Sequence, residues 1–88
     1  MSDYNGWSNR ATWNVSLWLN NEEPLYRALQ GIVRRADCVE GLADDINGFC
    51  SEIWPNGVTP DGDSLSKCDW EEIAKAEWED ADKDKETV

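Results

Sequence analysis

The sequence predicts a small all-α domain, a single bundle of three to four helices. Three observations carry that expectation. The chain has only 88 residues, room for one core. Its apolar residues recur at helical spacing from residue 25 onward. Helix start and stop signals bracket those stretches.

Met1 to Asn9 reads as an entry segment with a turn at Asn5-Gly6. The stretch Asn9 to Asn20 is ambiguous. Trp13, Val15, Leu17 and Leu19 alternate with polar residues except at Trp18, which leaves an α+β fold with residues 12–19 as a strand as the alternative. A helix is favoured because no second convincing strand exists to pair with. In that helix Trp13 and Leu17 share one face.

Asn21 is expected to cap the second helix, with Glu22 and Glu23 at its positive end and Pro24 in its first turn. Leu25, Leu29, Ile32 and Val33 form one apolar stripe, and Arg34 and Arg35 suit the negative end. Gly31 is either a mild liability or a point of close backbone approach.

A third helix is expected over Val39 to Ile53, with Leu42, Ile46, Phe49 and Cys50 inward and Asp44, Asp45, Asn47 and Glu52 outward. Trp54-Pro55-Asn56-Gly57 ends it, and the chain to Ser66 reads as a loop. Asp69-Trp70-Glu71-Glu72 has capping-box spacing and opens the last helix. Ile73, Ala74 and Trp78 trace its inner side. Residues 79–88 lack apolar periodicity and are expected to fray as an acidic tail of a single domain spanning 1–88.

Nineteen acids against eight bases and no histidine give a net charge of −11. Such a chain repels phosphate, so direct nucleic-acid binding is not expected. No apolar run reaches membrane-spanning length and MSDYNGW does not read as a signal peptide, so a cytoplasmic location is expected. The charge is uneven. Residues 69–88 hold nine acids and three lysines, for −6, and the first 68 residues carry the other −5. Duplex DNA presents about one charge per 1.7 Å of axis, and a carboxylate-rich helix rising about 1.5 Å per residue can approach that density. Carboxylates could then stand where phosphates would in a cationic groove. The competing account is a solvated surface that confers only solubility.

Catalysis is not expected. There is no imidazole, no phosphate-binding glycine loop and no nucleophile elbow, and no cofactor is implied. Cys38, Cys50 and Cys68 lack zinc or redox spacing and read as reduced thiols; nothing requires a Cys38–Cys50 disulfide. Asp61-Gly62-Asp63 lacks EF-hand spacing, so no metal site is assigned. Six tryptophans supply bulk for a small core. About four are expected to be buried in a domain of this size, each large aromatic removing roughly 150–250 Å² from water. Trp18, Trp54 and Trp78 are the ones expected to reach the surface.

Tyr4–Asn21, YNGWSNRATWNVSLWLNN, resembles a pattern GWSN-x-x-TWNV-x-LWL-x-N found in short proteins of bacteriophages, prophages and plasmids. The acidic pair Glu22 and Glu23 and Tyr26 follow it as in that group, and Asp69–Ala74 resembles the group's closing helix. The resemblance implies a genomic context and carries no catalytic residues. Small acidic proteins of mobile elements include inhibitors of host defence that imitate nucleic acid. That context leads to one expectation: a non-enzymatic inhibitor of a CRISPR effector or restriction enzyme, acting on a cationic groove. The expected contacts are Glu71, Glu72, Glu79, Asp80 and Asp82, then Asp44 and Asp45, with Trp18, Trp54 and Trp78 as anchors. The alternative is an interaction or adaptor module, such as a homodimer through Tyr4, Trp7, Trp13 and Trp18.

Overall fold

A computed structural model describes residues 6–81 of the chain. It contains α1 (Arg10–Asn21), α2 (Glu23–Arg35), α3 (Val39–Ile53), a 3₁₀ turn at Leu65–Lys67 and α4 (Trp70–Asp80). The ambiguous segment is therefore helical. Asn9 caps it from an extended conformation, its Oδ1 accepting the Thr12 backbone N–H at 2.8 Å. The strand alternative is not realised. Among the described residues β pairing is limited to an isolated antiparallel bridge between Val58 and Ser64, so a strand over 12–19 would have no neighbour.

Asn21 does not cap α2. It is the last residue of α1, and Glu22 occupies the capping position without a side-chain capping bond. Gly31 marks no close backbone approach, since an added Cβ would meet only Arg35 Nη1, at 3.4 Å. Cys38 caps α3 from an extended conformation, its Sγ accepting the Gly41 N–H at 3.3 Å. Cys38 and Cys50 thus lie along one helix, roughly 18 Å of rise apart, which rules out a disulfide between them.

The capping box of α4 is half formed. Asp69 Oδ1 accepts the Glu72 N–H at 3.1 Å. The Glu72 carboxylate does not turn back; it accepts the Ser8 N–H at 3.2 Å and the Ser8 hydroxyl at 2.7 Å. α4 continues past Trp78 to Asp80, where the Ala81 N–H closes on the Glu77 carbonyl at 3.0 Å. Ala81 packs against the core. The rest of the expected tail, including Asp82, lies outside the described residues.

The core is aliphatic. Val15, Leu19, Leu29, Val33, Leu42, Ile46, Cys50, Ile73 and Ala74 are essentially inaccessible. α3 and α4 pack most extensively against each other, while α1 lies on α2, α4 and the 3₁₀ turn. The expectation of about four buried tryptophans is not met: all six are half-buried. Trp7, Trp54, Trp70 and Trp78 form a perimeter around the aliphatic centre. An indole there covers apolar surface while its ring edge stays near water, where its N–H is easily satisfied.

α1 turns a mixed face inward. It buries Val15 and Leu19 together with the polar Thr12, Asn14 and Ser16, whereas Leu17 is 38% exposed. Polar groups inside a small core must be hydrogen-bonded, and these are. Thr12 Oγ1 donates to Asn9 Oδ1 at 2.9 Å and accepts the Asp69 N–H at 2.8 Å, joining the starts of α1 and α4. Replacing Thr12 by Val keeps the shape but strands the Asp69 N–H. The expected loss is about 1–3 kcal/mol, read as a lower urea midpoint with an unchanged slope. Lys75→Ala, on the exposed side of α4, should stay within about 0.5 kcal/mol of the parent.

Candidate functional site

The residues of the N-terminal motif converge on the segment between α3 and α4. Asn14 is buried at the centre: its Nδ2 donates to Asp61 Oδ2 at 2.8 Å, and its Oδ1 accepts the Thr59 hydroxyl at 2.6 Å. Thr59 Oγ1 in turn accepts the Asp63 N–H at 3.1 Å. Trp18, one turn further along α1, donates its indole N–H to the same Asp61 Oδ2 at 3.1 Å. Arg10 pairs with Asp63 at 3.1 Å, and Asn9 Nδ2 reaches the Lys67 carbonyl at 3.0 Å. Gly57 and Gly62, both at positive φ, let the loop turn so that Thr59 and Asp61 face α1.

These bonds settle several chemical roles. The bonds from Asn14 and then Trp18, with Arg10 nearby, hold the Asp61 carboxyl below the usual carboxylate range. Asp61 and Asp63 are therefore structural anions with partners. Among the described residues no group of three or more His, Cys, Asp or Glu side chains is placed to hold a metal ion.

The acids predicted as contacts are placed quite differently. Glu71, Glu79 and Asp80 are exposed on α4, and Asp44 and Asp45 are exposed on α3 with Glu40 and Glu52. Glu72 is the exception, since its carboxylate is half-buried and engaged by Ser8. The salt bridges Arg10–Asp63 and Arg27–Glu23 involve no acid of α3 or α4. Charge is segregated by helix. α3 and α4 together carry nine acids and one lysine, whereas α1 and α2 carry one acid and four arginines. The exposed acids fall in separate places: Asp44, Asp45 and Glu52 of α3 line a cleft with Ile32 and Arg35 of α2, whereas Glu71 lines another with Ser8, Asp69, Glu72 and Lys75. On α3, Glu40 to Glu52 covers roughly 18 Å of axis, or about one carboxylate per 6 Å, sparser than the 3.4 Å spacing of a single strand. On α4 the exposed acids Glu71, Glu79 and Asp80 span about 13.5 Å of axis, which is sparser still.

Of the predicted anchors, Trp54 and Trp78 pack against the aliphatic core, and Trp18 is locked to Asp61. The sequence reading missed the Asn14–Thr59–Asp61–Trp18 constellation. Its only sequence signal is an Asn and a Trp four residues apart on one helix, with an Asp in a Gly-rich loop more than forty residues away.

A family model matches residues 1–86, nearly the whole chain. The chain belongs to DUF7249, a family of unknown function. No curated protein and no solved structure matches it. Among the described residues no helix is long and apolar enough to cross a membrane. DUF7249 membership thus gives kinship without chemistry, and the titratable groups have to be read from their surroundings.

Two sets of buried groups are informative in this DUF7249 chain. Glu77 faces α1, and burial raises its pKa from 4.5, opposed by the Asn20 amide and aided by Asp80. Between 4.5 and that raised value, the folded state holds a proton that the unfolded chain has lost. Stability from this residue is therefore present below 4.5 and falls as pH rises through the folded pKa. Glu77→Gln should gain stability relative to the parent as pH is raised from acid to neutral, read as diverging denaturant midpoints. Burial also pushes the Cys50 and Cys68 thiols up to about 12, whereas Cys38 is exposed. A thiol reagent at neutral pH should titrate Cys38 quickly in the native protein. Cys50 and Cys68 should react only on unfolding.

Proposed function

We propose that this protein is a non-catalytic inhibitor whose α3–α4 face occupies a cationic groove built for nucleic acid, in a host defence complex such as a CRISPR effector or restriction enzyme. The segregation of charge carries this reading. Nine of the ten acids on the four α-helices lie on α3 and α4, and the four arginines lie on α1 and α2, with Arg35 at the edge of the α3 acids. Arginine and lysine side chains bind carboxylate and phosphate through the same donors. The resemblance of Tyr4–Asn21 to proteins of mobile elements agrees with such a target. In this role Asp44, Asp45, Glu71, Glu79 and Asp80 make the contacts, with Asp82 beyond them. Glu72 serves the fold, through Ser8.

The test is plasmid or phage survival in cells carrying a restriction or CRISPR system, with and without the protein. Survival should rise with the parent chain. It should fall by about tenfold or more when Glu71, Glu79 and Asp80 are reversed to lysine, as expected for desolvated charge contacts. Full protection by the reversed variant, or none by the parent across the panel of systems, would overturn the reading. A second reading rests on Leu17, which stands exposed beside Trp13 and Trp18 and offers an apolar surface on α1 for self-association, against the repulsion of two chains of charge −11. Light scattering that found a dimer, lost on Leu17→Asp, would support it instead.

A further inference from the structure

A second surface lies away from the α3–α4 acids, where α1 meets α2. Leu17, Trp18, Asn21, Glu22 and Asp61 line a notch of about 210 Å³. That is below the roughly 300–1,000 Å³ of sites that enclose a drug-sized ligand, but it is room for one side chain. We propose that this notch receives an arginine side chain of a partner protein.

Four features of the notch point to that chemistry. Leu17 is an apolar side chain left 38% exposed on a helix whose buried face includes three polar residues. Trp18 is held by its Nε1–H···Oδ2 bond to Asp61, so its indole is ordered before anything binds. Asn14 and Trp18 both end on Oδ2 of Asp61, leaving Oδ1 without a partner among the described residues. Glu22 stands at the cap of α2, where Asn, Asp or Ser is preferred, and its carboxylate makes no capping bond.

An apolar wall, a fixed aromatic face and two carboxylates at the rim match an arginine. Its methylene stem covers Leu17, and its planar guanidinium lies on the indole while its edge donates to carboxylate. Lysine offers a compact ammonium that cannot both stack and fork. A second copy of this chain is disfavoured as occupant, because each copy carries −11. The notch uses none of the α3–α4 carboxylates, so it stands independently of the function proposed above.

The experiment is a titration of the full chain with the capped tripeptide Ac-Gly-Arg-Gly-NH₂, following the indole N–H resonances by NMR, with Trp18 identified through Trp18→Phe. A saturable shift of the Trp18 resonance is expected, weaker with the lysine tripeptide and absent with the citrulline one. Glu22→Gln, an exposed change that removes no bond, should weaken binding about threefold, the size expected for one exposed charge contact. The pair Glu79→Gln and Asp80→Asn should leave it unchanged. An unmoved Trp18 resonance, equal shifts with citrulline, or the same affinity after Glu22→Gln would overturn the proposal. So would dimerisation of the chain that is abolished by Leu17→Ala, which would make a second copy the occupant.

Discussion

Asn14 is buried inside a domain of 88 residues, and it can remain there only because a distant loop supplies both of its partners. Asp61 takes its amide hydrogens and Thr59 donates to its oxygen. Leaving such a group unpaired would cost roughly 1–3 kcal/mol per lost partner, a large share of the 5–15 kcal/mol that usually stabilises a domain. The loop is thus obliged to fold back on α1. Once it does, Asp63 meets Arg10, the chain passes Asn9 at Lys67, and Asp69 meets Thr12. The start of α4 is then fixed beside the start of α1. A short helical chain gains from this arrangement a specific orientation that aliphatic packing alone would leave loosely determined.

That constraint also explains the distribution of large side chains. With Thr12, Asn14 and Ser16 turned inward on α1, little space remains at the centre for indoles. The interior is filled by Leu, Ile, Val, Ala and Cys, and the tryptophans close the perimeter. Packing bulky aromatics around a small centre shields more apolar surface than the centre could alone. It leaves aromatic edges at the surface as well, which is how Trp18 comes to be both a structural donor and an accessible face.

Much of the fold was legible. α2 and α3 follow from their apolar stripes, and Asp69 correctly announced α4, because these signals are local and depend only on helix geometry. α1 was harder. Its inward residues are polar, and whether a threonine or asparagine can be buried depends on partners more than forty residues away. No periodicity reports such partners. The capping box failed in one half for a related reason: Ser8, brought near by the same junction, competes for the Glu72 carboxylate more effectively than the helix terminus does. For the candidate contacts, composition located the acid on α4. The exposure of Asp44, Asp45, Glu79 and Asp80, and the withdrawal of Glu72, required knowing which helices pack together.

The two families of carboxylates in this molecule are distinguished by what already holds them. Asp63 is ion-paired with Arg10, Glu72 is held by Ser8, and Asp61 is held through one oxygen by Asn14 and Trp18. The acids on the outer faces of α3 and α4 take no part in the Arg10–Asp63 and Arg27–Glu23 salt bridges. Like charges along one helix repel, and Arg35 of α2, which shares a cleft with Asp44, Asp45 and Glu52, places a cation beside the α3 acids. The locked acids of the α1 junction explain how the domain holds its shape while the outer acids of α3 and α4 stay exposed.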